Sequence, residues 1–431
     1  MCFSQQGLKL PSELKKDKVS FELVNNLVIV PVEVNGDKLS FLLDTGVNST
    51  ILFGITEADS LRVNNAKILK VRGLGEGDGV IALKSENNEL RIGNAIDRHH
   101  TINVIFEESL NFSTRMGIPI HGIIGYDFFK SFVVKTDYTS KKLIFYDPKK
   151  YRSKKCNNCV ELNLQFHNNK PYAKIKIASL GKTSDNITLL VDSGSSDALW
   201  LFEEEGVLSA DPEKYFDDFL GLGFSGNIFG KRSKLDEVWL GDFYLKEVKV
   251  AFPDKSATEG IRFFKERDGS IGGDLLKRFT VTMDYQSKTM ILKKNSKFSA
   301  PFYYNMAGLT IEHDGVDVVT ELTTRRNFDF AGSSKTENGT ASKAVTDVSV
   351  FTQISLVPRY VIVNVREGSP SDLAGLEIGD EIITINGSAA HNTKLFELNT
   401  LFSSKVGKRI NLKIKRNNTV FKAGLTLKKV I

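Results

Sequence analysis

Two short stretches hold the residue types that could do chemistry. Leu42-Leu43-Asp44-Thr45-Gly46 delivers one carboxylate from an apolar run into a tight turn, and Leu190-Val191-Asp192-Ser193-Gly194 repeats it. A carboxylate at the end of a buried strand is costly unless it is hydrogen-bonded or has work to do. Alone, either stretch reads as an ordinary turn after a strand. The two aspartates, however, lie 148 positions apart, and other signals keep that spacing. Gly73-Leu74-Gly75 is echoed by Gly221-Leu222-Gly223, and Ile92-Gly93 by Leu240-Gly241, each 148 apart. Gly122-Ile123-Ile124-Gly125-Tyr126-Asp127 is echoed by Gly269-Ser270-Ile271-Gly272-Gly273-Asp274, 147 apart. Co-linear matches at one spacing indicate an internal duplication, with one Asp per copy.

The elements that must position these carboxylates are strands. In the first copy, residues 28–34 and 39–43 form a hairpin across Asn35-Gly36, a strong two-residue turn signal. Gly73, Gly75 and Gly77 sit between alternating segments and read as the tip of a second hairpin, a flap, rather than a phosphate loop. They lack the Lys-Ser/Thr of a P-loop and no helical pattern follows. Residues 118–125 form an apolar run closing on Gly125, followed by a helical turn over 127–130. A hairpin through Asp137-Tyr138-Thr139-Ser140 ends the copy at Asp147-Pro148. The second copy repeats this plan, with Gly221 and Gly223 in its own flap and an Asp284-Tyr285 turn near its end.

Composition bounds the rest. The 431 residues are 41% apolar and 26% charged, the profile of a globular chain with room for two to four units. The net charge of +6 is small and dispersed, so nucleic acid is not the expected partner. No apolar stretch is long enough for a transmembrane helix. Met1-Cys2-Phe3-Ser4-Gln5-Gln6 is similar to the cleavage end of a trimmed secretory signal, with a frayed terminus or a lipid-modified Cys2 as alternatives. The signal reading carries the expectation of an extracytoplasmic protein, in the periplasm, in the cell envelope or secreted. Cys156-Asn157-Asn158-Cys159 supplies only half of a four-ligand zinc site. It reads as an incidental pair or a small disulfide staple of an oxidising compartment.

The paired Asp-Thr/Ser-Gly motifs, each with a Gly-rich hairpin and an apolar-apolar-Gly segment, resemble the two lobes of an aspartic peptidase. The likeness is to the pepsin-like and retropepsin-like superfamily in its single-chain form. Lobe size and flap position are nearer the retropepsin pattern, while Asp192-Ser193-Gly194-Ser195-Ser196 with Leu199-Trp200 is near the pepsin-type motif. The resemblance implies that Asp44 and Asp192 meet between the lobes and share one proton. It implies that Thr45 and Ser193 lock the loops, with Gly46, Gly194 and Ser195 in support, and that the segments ending at Gly125 and Gly272 pack beneath. A water activated by the pair would hydrolyse an extended peptide or unfolded protein, with no metal or organic cofactor. Ser195 can hydrogen-bond the outer oxygen of Asp192, whereas Val47 offers Asp44 nothing. Asp44 is therefore expected to be the more easily protonated, with an activity optimum less acidic than that of pepsin. Both lobes lie in one chain, so a monomer is expected.

From about residue 301 the pattern changes. Glu367-Gly368-Ser369-Pro370 followed by Ala374-Gly375-Leu376, Gly379-Asp380 and Asn386-Gly387 resembles a PDZ domain of the bacterial protease type. Ser369 and Pro370 open a short helix, and residues 394–403 form a second. The resemblance places a carboxylate-binding loop at Ala307, Gly308 and Leu309, able to hold the C-terminus of a peptide ligand. An autoinhibitory or docking module with a closed groove is the alternative. The expected fold is mainly β: lobes at 7–150 and 155–296, each a β-barrel, and a PDZ domain at 301–431. Its insertion near 316–357 is polar at its centre and is expected to be a mobile loop. The rival functions are a non-catalytic peptide binder and an envelope assembly factor that keep the lobes as a scaffold.

Overall fold

The computed structural model describes residues 7–53, 67–71, 80–106, 112–153, 156–203, 210–211, 213–223, 226–258, 264–336 and 339–431. The chain is mainly β, and its two halves follow one strand plan, except that Lys16–Ser20 and Glu22–Val24 stand where the second half has the single strand Cys159–His167. In the first lobe Leu27–Val34 and Asp37–Leu43 form the expected hairpin. Its turn residues Asn35 and Gly36 have φ of 50° and 98°, the left-handed pair a tight hairpin requires. The return strand then pairs in parallel with Gly122–Ile124, so that Leu42 faces Ile123. In the second lobe Lys182–Val191 pairs in parallel with Gly269–Ile271, and Leu190 faces Ser270. Thr50–Leu52 and Leu199–Leu201 lie antiparallel against the other side of these central strands.

The lobes share a floor. Lys16–Ser20, Lys142–Tyr146, Val133–Asp137, Phe279–Asp284, Thr289–Lys294 and Cys159–His167 run side by side, and Val133–Asp137 of one lobe pairs antiparallel with Phe279–Asp284 of the other. Alternation along these strands sends Val134, Thr136, Val281 and Met283 inward. One apolar cluster therefore runs from Leu8 through both lobes to Phe302.

The C-terminal unit has its own core, built from Met306, Leu309, Ile362, Leu395, Phe402 and Ile414 among others. Ser369 caps the helix Pro370–Leu373, its Oγ accepting from the Asp372 N–H, and Gly375 follows at φ 72°. Within 316–357, expected as a mobile loop, the described residues 316–336 and 339–357 are instead paired strands. Leu309–Thr336 and Gly339–Val365 form one long antiparallel hairpin whose register runs from Val316↔Pro358 to Thr336↔Gly339. Polarity at the tip hides the reason. Val316, Val318, Thr320, Ile354 and Leu356 alternate on the arms, and β-branched alternation of this kind favours a strand even where the side chains stay wet.

This unit is fastened to both lobes. Phe302 is buried in the shared lobe core beneath the Arg278 guanidinium, and Tyr304 donates its hydroxyl hydrogen to the Ser233 carbonyl. Phe396 packs on the first lobe's cluster around Ile51 and Ile123, and Arg366 lies 4.8 Å from the Phe216 ring of the second lobe. Cys156 and Cys159 are joined as a disulfide just after the first lobe.

Candidate active site

The two parallel strand pairs bring Asp44 and Asp192 to the same place. Asp44 N–H donates to Ile124 O at 2.9 Å and Asp192 N–H to Ile271 O at 2.8 Å, so each loop leaves its strand with the same geometry. The loops are then tied across the lobes. Thr45 N–H donates to Ser193 Oγ and Ser193 N–H to Thr45 Oγ1, both at 3.0 Å. The hydroxyls pass their own protons on: Thr45 to Val191 O at 2.6 Å, and Ser193 to Leu43 O at 2.8 Å. Every donor in this buried knot has a partner, which is what a polar cluster inside a core requires.

Gly46 and Gly194 explain their own identity. A Cβ on Gly46 would come within 2.8 Å of Asp192 Oδ1, and one on Gly194 within 2.4 Å of Asp44 Oδ2. Each carboxylate therefore sits over the other loop's glycine. Gly46 N–H donates to Asp44 Oδ1 at 2.6 Å, and Gly194 N–H to Asp192 Oδ1 at 3.1 Å. Gly125 and Gly272 pack directly beneath. A Cβ there would meet Asp44 O at 2.1 Å or Asp197 O at 2.3 Å.

Asp44 is 7% exposed. Burial, reinforced by the Asp192 charge, pushes its pKa up to about 8, against the opposing pull of the Gly46 N–H and the Lys170 ammonium. The direction is the expected one, but the cause differs. Ser195 Oγ is directed toward Gly272, and among the described residues no hydrogen bond joins it to Asp192. Depth rather than the Val47/Ser195 contrast raises Asp44.

The pair lies in a cavity of about 650 Å³. Its second-lobe wall carries cations not singled out in the sequence, among them Lys170 and Arg267. Lys170 follows the left-handed Asn168-Asn169 turn. The first lobe makes the same turn with Asn25-Asn26 but continues with Leu27, and that comparison was the available signal. Burial and the neighbouring Arg267 hold Lys170 below the usual lysine range. The second flap hairpin, Phe216–Gly223 against Gly226–Leu240, brings Gly221 and Gly223 to the cavity. Arg232 steadies its base by ion pairs to Asp218 at 2.6 Å and Asp197 at 2.8 Å. Gly73, Gly75 and Gly77 lie outside the described residues. Among the described residues no cluster of His, Cys, Asp and Glu has the makings of a metal site, and no helix is long and apolar enough to cross a membrane.

The turn expected to hold a peptide carboxylate also reaches this cavity, through Asn305, Gly308 and Leu309. Its Ala307 and Gly308 N–H groups donate to Asn305 Oδ1 at 3.1 and 3.0 Å, while Asn305 Nδ2 donates to Leu309 O at 2.7 Å.

Residues 30–128 match the family model described as aspartyl protease, and residues 334–427 match the one described as PDZ domain. The chain carries an aspartyl protease domain and a PDZ domain. The protease match covers Asp44 and the Gly122–Ile124 strand of the first lobe, and the PDZ match begins within the long hairpin. No curated protein matches the chain.

Proposed function

We propose that the chain is an aspartic endopeptidase whose Asp44 and Asp192 together activate the hydrolytic water. One observation carries this reading: two carboxylates from duplicated loops lie over each other's glycine at the floor of a peptide-sized cavity. Two close carboxyls cannot both ionise near neutrality, so one proton is shared. Asp44, the deeper member, holds it. Asp192 as the carboxylate takes a proton from a water bound between them, and the resulting hydroxide attacks the substrate carbonyl. Asp44 donates its proton to the carbonyl oxygen, giving a neutral gem-diol. Collapse returns a proton to Asp44 from one hydroxyl as Asp192 protonates the leaving amine, so both groups end as they began.

The substrate is peptide or unfolded protein, a reading supported by a cavity lined both by the second-lobe hairpin at Gly221 and Gly223 and by the loops that carry the aspartates. Both aspartates come from one chain, so a monomer suffices. The Cys156–Cys159 disulfide supports an extracytoplasmic setting. The test is hydrolysis of a mixed peptide library by the full chain. Asp44→Asn and Asp192→Asn are each expected to lower turnover by at least about a thousandfold, and a statine-type mimic to block it. Peptide binding without hydrolysis by the wild-type chain at any pH would overturn the reading in favour of a scaffold protein.

A further inference from the structure

The cavity above the aspartates does not end at the lobes. Asn305, Gly308, Thr310 and Glu312 continue its wall on one side, and Asn399 and Ser403 on the other, with Arg366 beside them. Thr310 and Glu312 lie on the edge strand of the PDZ domain, Asn305 and Gly308 in the turn before it, and Asn399 and Ser403 in and at the end of the Leu395–Phe402 helix. Among the described residues the strand Leu309–Thr336 is outermost in its sheet and pairs with Gly339–Val365 alone, so its other edge can receive an extended peptide.

The turn before that strand is built to hold an acceptor oxygen. Gly308 at φ 78° turns two successive N–H groups, its own and that of Ala307, onto one atom. The atom they hold is Asn305 Oδ1, from the same turn. The opposite end of the groove is shut. The first-lobe helix Phe112–Met116 lies across it, with Arg115 Nε 2.8 Å from Glu312 Oε1. A Cβ on Gly117 would come 2.6 Å from Leu395 Cβ. A peptide ending at Gly308 therefore cannot continue along the groove past Glu312. The way out is the cavity floored by Asp44 and Asp192.

We propose that the PDZ turn and the aspartate pair serve a single ligand. The C-terminal carboxylate of an unstructured tail replaces Asn305 Oδ1 at Ala307 and Gly308, and the tail is cut a short, fixed distance upstream. The substrate class is thus flexible protein C-termini, and the released fragment is a short peptide that keeps the original terminus. This rests on the peptidase reading for the cut, though not for the binding.

The experiment uses full-length protein and paired peptides, one a free acid and the other its C-terminal amide. The acid is expected to be cleaved with at least about tenfold higher kcat/KM, since the amide forfeits a charge-assisted hydrogen bond. Lengthening the peptide beyond its terminus should move the cut by the same number of residues. In parallel, binding to Asp192→Asn protein is followed by fluorescence anisotropy. The acid should bind at least about tenfold more tightly than the amide. A statine-type mimic without a free carboxylate should compete with it, because the two share one cavity. Asn305→Ala, which frees the two N–H groups, should preserve the acid preference, and Asn305→Asp, which fills them with a fixed carboxylate, should erase it. Equal cleavage of acid and amide at one sequence-defined bond would overturn the inference and leave the peptidase reading standing. Acid-selective, mimic-competed binding with no hydrolysis by wild type would do the reverse.

Discussion

Asp44 carries the site's pH dependence. Its pKa, pushed up to about 8, lies above the unfolded value, so the folded state holds a proton that the unfolded chain releases. The sign follows: this group favours folding most below about pH 4, and its contribution is lost as pH rises toward 8. The same proton is the one the aspartate pair must keep, so kcat/KM should fall on an alkaline limb near pH 8. Lys170 pulls Asp44 the other way, and Lys170→Met should move that limb upward. A pH–rate profile of the two proteins checks both statements. Limbs wholly below pH 4, or a limb that moves down in the variant, would count against them.

The loops and helical turns around the pair hold it by buried polar bonds, and their energetics are measurable. Thr45→Val leaves the Ser193 N–H buried without an acceptor, and Ser193→Ala does the same to Thr45. Each should cost about 1–3 kcal/mol in urea unfolding. The double variant should cost less than the sum, because both remove one shared knot; strict additivity would contradict the knot. Asp274, in the first turn of the helix Gly273–Leu276, is a second such element. It is buried, and burial alone would raise its pKa, but Lys249 and Lys277, each 2.6 Å away, hold it well below the carboxylate range. Its contribution is therefore complete above the ordinary carboxylate pKa and fades only as pH falls far below it. Asp274→Asn should destabilise by about 3 kcal/mol at pH 7, since it strands two ammonium groups, although burial also weakens the Lys277 charge it releases. Thermal unfolding across pH should show the difference between the two proteins shrinking in strong acid.

At the scale of the molecule, three units close around one cavity, and the long hairpin lines it only near its base, at Leu309–Glu312 and Asn364, among the described residues. Beyond His313 its arms pair with each other, and Val316, Val318, Ile354 and Leu356 are left exposed. Replacing residues 316–357 by a short turn should leave peptide hydrolysis unchanged, as measured by kcat/KM; a large loss would place the hairpin in the reaction. Much of the rest could be read from the chain. The duplication, the strand-turn-carboxylate motifs and the Ser369-capped PDZ helix are local patterns, and local patterns survive in sequence because spacing and turn chemistry encode them. The hairpin arms were encoded too, in their β-branched alternation, but the polar residues at the tip masked the signal. What only the tertiary structure decided comes from packing between segments far apart in the chain. It set the burial of Asp44, the approach of Lys170 to the pair, the turning of Ser195 toward Gly272, and the opening of the PDZ groove into the cavity. Such contacts depend on the register and docking of whole lobes, and no short window of residues specifies them.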